Sequence, residues 1–391
     1  MRLLNKNNIF IVLFTGLILV KFVGSAYSIP FYPIVIILTI FLFSVQDLKS
    51  LNLKNYWILI FLFCSYNIIT LLWTSAPDYG LRKIYLITPC LIIGILSAEL
   101  FRQNRLKFLK FSGMIFFGIL LVLIFYDFNK IIESSLVNSI RYRIYEEANS
   151  NTIAVFFGLG VIISLYNYLV LKGVTKFIFL FSAISFIVFS IFNGSRGNLL
   201  SITFSIILVN ILYVKTNSKT YLKNLIFVIV LILIFINTDF FQNFLENNYI
   251  SSRFLSEKSY QSLDERFFSY QLVFSNIDSK ILFGNGIGDF AYILTGKDSA
   301  SYPHNIFLEI FYELGLFVLF VFLTLLFLVH KKCLRLKKIN KISYDTLFVI
   351  NLVVYFFLFS QGSGDITDNF LLFIFLIFLS NILKEHKYVN K

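Results

Sequence analysis

Three stretches of this chain set chemically capable side chains beside turns. In "YPHNIFLEIF", residues 302–311, His304 follows Pro303 and precedes Asn305, Glu309 and Glu313. Pro303 suits a first helical position, with Ser301 or Tyr302 before it. His304 would then stand in the first turn, where the helix dipole disfavours an imidazolium. A neutral ring can accept a proton near pH 7; the plainer alternative is a surface histidine bonded to water or headgroups. Asn305, Glu309 and Glu313 recur every four residues and would line one helical stripe. Carboxylates inside a membrane span face a cavity or a partner, so these either contact substrate, pair with an arginine, or stay protonated.

The second stretch is "NGSRGNLL", residues 193–200. Gly194 and Gly197 permit a tight turn, and Ser195 can cap the helix that follows. Arg196 then falls in a first turn, where a cation opposes the dipole and does not serve helix stability. A guanidinium beside a helix N-terminus can bind phosphate; otherwise it snorkels to headgroups. The third stretch, "RFFSYQLVFSNIDSKILFGNGIGDF", opens on Arg266, a second anion-site candidate, and ends on Gly284, Gly286 and Gly288. The glycine spacing imitates a nucleotide loop but lacks the strand before and the helix after, which excludes that function. The glycines are expected to let a loop fold tightly over the outer face. Arg141 and Arg143, near "ANSNTIA" with Asn151, are further substrate-contact candidates, or else part of a solvated polar face. Cys64, Cys90 and Cys333 are scattered, and no His, Cys or Asp spacing suggests a metal.

The elements that must position these residues are membrane helices. The 391 residues are 58% hydrophobic and only 14% charged, against about 25% charged in soluble domains. Twelve apolar runs are long enough to cross a bilayer: 8–24, 29–46, 55–73, 83–101, 108–127, 151–170, 176–193, 197–214, 222–241, 303–330, 343–361 and 367–384. The net charge of +13 is a topology signal, not a nucleic-acid signal, and no nucleic-acid partner is expected. With both termini cytoplasmic, the inner segments collect Lys and Arg, including "KKCLRLKKINK". Two long outer loops remain, 128–150 and 242–302. The second is too apolar for a disordered linker and is expected to hold one or two amphipathic helices at the membrane surface. The chain is thus expected to be one polytopic all-α membrane domain, 1–391, with a large periplasmic loop.

"LWTSAPDYGLRKI", "ANSNTIA", "NGSRGNLL", the Arg266 stretch and "YPHNIFLEIFYELGLFVLF" occur together and in order. As a set they resemble the O-antigen ligase/polymerase family of bacterial membrane glycosyltransferases, over roughly residues 70–330. The resemblance implies a GT-C-like fold of about twelve helices in the inner membrane, with its active site facing the periplasm. It implies metal-independent, inverting transfer of glycan from undecaprenyl diphosphate, with no cofactor. A flippase and a chain-length regulator of the same pathway are the implied protein partners. The family's functional arginines and histidine map to Arg196, Arg266 and His304. Val318 stands where ligases often carry glycine, threonine or tyrosine. "SQGSGDITDNFLLF", residues 360–373, looks more like the polymerase branch, whose last helix often follows a polar Gly-Asp turn. The expected activity is therefore an O-antigen or capsule polymerase. A ligase acting on lipid A–core is the alternative, and a flippase or transporter of lipid-linked oligosaccharide is the rival of another class. A transporter would show repeats and charges near mid-membrane, whereas these charges collect at the outer rim.

Overall fold

The computed structural model describes residues 62–63, 65–92, 94, 110, 112–121, 150–192, 195–213, 257–277, 280–339 and 342–388. Among them every regular element is helical. Besides a helical stretch at 65–70, these are in chain order α1 (77–92), α2 (Ser112–Leu121), α3 (Ser150–Val170), α4 (Val174–Phe192), α5 (Arg196–Tyr213), α6 (Glu257–Ser275), α7 (Phe290–Thr295), α8 (Ile306–Glu309), a π-helical turn (Ile310–Leu314), α9 (Gly315–Lys338), α10 (Tyr344–Phe359) and α11 (Phe370–Tyr388). Four stretches are long and apolar enough to cross a membrane: Ile153–Val170, Val174–Ile191, Arg196–Tyr213 and Ile306–Lys338. The expected spans 8–24, 29–46 and 222–241, and loop 128–150 with Arg141 and Arg143 apart from its last residue, lie outside the described residues.

Helix α3 is the hub. It packs on α4, α5 and α10, and glycines on it admit bulky neighbours. The Phe186 ring lies against Gly160, and the Tyr355 hydroxyl and Asn198 lie against Gly158. Phe116, Phe156 and Phe186 form a buried aromatic cluster around it, with ring centroids 4.9–6.1 Å apart. Several polar groups inside this core pair across helices, as a low-dielectric interior favours. Ser164 and Ser182 share a 3.0 Å hydrogen bond between α3 and α4. The Tyr355 hydroxyl donates to Asn198 Oδ1 at 2.6 Å, and Asn198 Nδ2 donates to Ser190 at 3.2 Å. Large apolar side chains are exposed on the outward faces, as bilayer contact requires: Phe177 and Phe181 on α4, Phe317, Phe320 and Phe327 on α9.

The expected helix 303–330 is corrected. Pro303 lies outside it. Asn305, not Ser301 or Tyr302, is the N-cap, its side chain accepting from Phe307 N–H and Leu308 N–H at 3.0 and 3.2 Å. The helix then widens into the π turn, breaks at Gly315, and resumes as far as Lys338. Gly315, with φ 84 and ψ 174, adopts a conformation essentially reserved for glycine.

A break inside an apolar layer frees backbone groups that must be satisfied. The 280–289 loop does this. Asn285 N–H and Gly286 N–H donate to the Tyr312 and Glu313 carbonyls, both at 2.9 Å, and Leu316 N–H donates to the Ile281 carbonyl at 2.9 Å. The Tyr66 hydroxyl donates to the Phe283 and Leu314 carbonyls. Gly284, Gly286 and Gly288 all have φ between 76° and 111° and press on the 312–315 break and the 70–80 segment. Their spacing therefore serves close backbone approach. Gly315→Ala would put a Cβ against the Leu282 carbonyl and Gly284 N on top of the conformational strain. It is expected to destabilise the fold by about 2 kcal/mol or more, seen as reduced folded protein in membranes and a lowered Tm in detergent.

Candidate active site

His304 sits in an irregular segment between α7 and α8. Its φ is 57°, the one positive value among non-glycine described residues, a left-handed conformation that costs on the order of 1 kcal/mol. The ring packs edge-on against Tyr302, with centroids 4.5 Å apart. Nδ1 is buried and has no hydrogen-bond partner among the described residues. Burial first, and then the Arg266 guanidinium, lower the His304 pKa to about 4. The ring is therefore neutral at pH 7, as expected, but for a different reason. The expected cause was the dipole of a helix beginning at Pro303; the helix begins after Asn305 and the observed causes are desolvation and a cation.

Arg266 comes from α6. Ser269 and Val273 on that helix are buried and fall on the same stripe as Arg266 at i+3 and i+7, so Arg266 points to the bundle side. It acts electrostatically on both Tyr302 and His304. Its Nη1 lies 3.3 Å from where a Cβ on Gly362 would be. Arg266, His304 and the 360–369 turn therefore meet.

Arg196 reaches the same end of the bundle by another route. It is the first residue of α5, directly after Ser195, as expected. Asn198, two residues on, bonds Tyr355, while Tyr213 at the far end of α5 bonds His330 on α9. Five residues beyond Tyr355, the Ser360 carbonyl accepts from Ile306 N–H at 3.1 Å, next to the His304 loop. The opposite end carries Arg335, Lys337 and Lys338 in the last turn of α9. Asn151 is the second residue of α3.

Glu309 and Glu313 are both buried, at 1% exposure. Lys83 of α1, itself fully buried, takes them both. Its Nζ lies 2.7 Å from Glu309 Oε1 and 2.8 Å from each Glu313 carboxylate oxygen. Of the alternatives open in the sequence, an ion-pair partner is the one observed, although the cation is a lysine. Glu309 Oε2 has no hydrogen-bond partner among the described residues. Beside this cluster the Tyr79 hydroxyl donates to Asp365 Oδ2 at 2.8 Å, and Asp365 Oδ1 accepts from Thr367 and Asp368 N–H. Burial opposes ionisation of Asp365, but Lys83 and these hydrogen bonds outweigh it and hold the carboxyl below its ordinary range.

The sequence showed Tyr79 and Lys83 only as part of "LWTSAPDYGLRKI" and Asp365 only as part of a polar Gly-Asp turn, with no role for any of them. A lone lysine at the head of an apolar run was the available signal, since ionisable side chains inside spans are costly unless partnered.

Apolar helices of bilayer-crossing length with a charged site gathered at one end define a multi-pass membrane protein. Residues 179–323 match the family described as O-antigen ligase. The matched segment is 145 of the 391 residues; its similarity to that family supports the O-antigen ligase/polymerase reading of the chain. The matched region contains Arg196, Arg266, His304, Asn305, Glu309 and Glu313. A comparison with curated proteins gives no match.

Proposed function

We propose that this protein is the polymerase of an O-antigen or capsular polysaccharide. It would transfer lipid-linked glycan from undecaprenyl diphosphate at the periplasmic face of the bacterial inner membrane. The observation that carries this is the juxtaposition of Arg266 with a neutral His304, at the end of the bundle opposite the basic turn of α9. The positive-inside rule puts that basic turn, and both termini, in the cytoplasm.

The chemistry follows from the donor. Its sugar C1 is already activated by a diphosphate, so the acceptor hydroxyl attacks C1 as the C1–O bond to diphosphate breaks, inverting the anomeric centre. Negative charge develops on the departing diphosphate, and preorganised cations in a water-poor site lower that barrier. Arg266 and Arg196 take this role, and His304 accepts the proton that the attacking hydroxyl loses. No metal or nucleotide enters, so a chelator is expected to leave the rate unchanged. Asn151, Arg141 and Arg143 remain proposed contacts for the saccharide, with Asn305 capping the helix beneath. Glu309 and Glu313 act on substrate only through the shape their Lys83 cluster gives the floor of the site. A flippase and a chain-length regulator would act beside it.

The polar 360–369 turn, packed against Arg266, favours the polymerase over the ligase, because the sequence there looks like the polymerase branch. Lipopolysaccharide or capsule gels of a deletion strain separate the two. Core bearing a single repeat unit supports the polymerase. Bare core, with polymer stranded on its carrier lipid, supports the ligase. Unchanged polymer rejects both.

The pH dependence is signed. A base must be unprotonated to act, and His304 protonates only near pH 4. The acid limb of kcat/KM is expected well below the ordinary histidine value of about 6.5, with activity lost as pH falls through about 4. An acid limb at the ordinary value would mean that His304 is not the buried neutral base.

A further inference from the structure

Resting on the transfer reaction above, we propose that α1 is the positioning platform of His304, holding both ends of the segment 298–309 that carries the histidine. At one end the Asp298 carboxylate accepts from Asp78 N–H at 2.7 Å and Tyr79 N–H at 3.0 Å, in the first turn of α1. At the other end Glu309 closes α8 with its carboxylate on Lys83, one helical turn after Tyr79 on the same face of α1. A third tie runs from α1 through the Tyr79 hydroxyl to Asp365. The turn that holds Asp365 begins at Ser360, whose carbonyl binds Ile306 N–H.

Between these anchors residues 298–305 have no helix of their own. A histidine at φ 57° persists only where its surroundings over-determine it. The anchors supply that determination, because one rigid helix fixes where the segment begins, where it ends and what its cap leans on. Lys83, Asp298 and Tyr79 are thus positioning residues. Lys83 is fully buried whereas Asp298 is exposed, so changes at Asp298 can be tested separately from folding.

The experiment uses full-length protein in detergent and, as substrate, lipid-linked oligosaccharide extracted from the deletion strain. Misplacing a catalytic group by about 1 Å costs about 100-fold in rate, and Lys83→Met is expected to lower kcat by about that factor with KM for the lipid-linked substrate unchanged. Lys83→Arg, which keeps the charge, should recover most of the loss. Asp298→Ala should lower kcat by about 10-fold, a smaller displacement on the same scale, with normal membrane levels. Asp298→Asn, which keeps an acceptor for the α1 N–H groups, should recover it. If Lys83→Met fails to reach the membrane, the Asp298 pair decides alone. Wild-type kcat in Asp298→Ala, or a loss that appears in KM instead of kcat, overturns the proposal. His304→Ala is run alongside. Were that variant fully active, the proposed function itself would fall; were it inactive while the α1 variants kept wild-type kcat, only the platform would fall.

Discussion

His304→Ala is expected to lower the transfer rate by about 10²–10⁴-fold, the range for loss of a general base, with protein levels in the membrane unchanged. Levels should hold because His304 contributes little to the core. It is only partly buried, its Nδ1 bonds nothing among the described residues, and its backbone adopts a left-handed φ of 57°. Alanine tolerates that conformation poorly, so His304→Gly and His304→Asn are informative companions. Both accept positive φ more readily, and neither can act as a base. Full loss in all three variants assigns the defect to the imidazole. Recovery in His304→Gly would assign it to the backbone.

Arg266→Ala is expected to cost about 10²–10³-fold in kcat, comparable to removing one preorganised group that stabilises developing negative charge. Arg266→Lys should recover only part of this, since an ammonium cannot present the planar fork that grips two phosphate oxygens. The same variants carry a second, independent signature. Arg266 is one of the two causes holding the His304 pKa down, so Arg266→Ala should move the acid limb of kcat/KM upward. Arg266→Lys, which keeps a cation, should move it less. Loss of rate with no movement of the limb would mean that the two side chains do not share a site.

Much of this architecture was legible in the residues. The apolar runs at 151–170, 176–193 and 197–214 correspond to α3, α4 and α5 within two residues at each end, because an uninterrupted apolar stretch of bilayer length has one way to satisfy its backbone. The expected helices in the large loop are present as α6 and α7. The break in 303–330 was not legible. Hydropathy averages over Gly315, whose φ of 84° is imposed by the incoming 280–289 loop and not by its neighbours in sequence. Glu309 and Glu313 announced a buried polar feature, but their partner Lys83 is more than 220 positions away. Single-sequence patterns carry no signal at that separation. The glycine triplet's fit against Thr70, Gly80 and Glu313 depends on elements that only the fold brings together. Arg266 and His304 were recognisable as candidates from their types and motifs, whereas the ties from α1 to Asp298 and Glu309 were not.

The most direct measurement is conversion by the purified protein. Lipid-linked oligosaccharide from the deletion strain would be incubated in detergent with wild-type protein, His304→Ala or Arg266→Ala, with chelator present, and the products resolved by length and by the lipid they carry. The account predicts longer chains still attached to the carrier lipid, with free carrier diphosphate released, for the wild type alone. Equal conversion by His304→Ala and Arg266→Ala, or no conversion by folded wild-type protein, would contradict it.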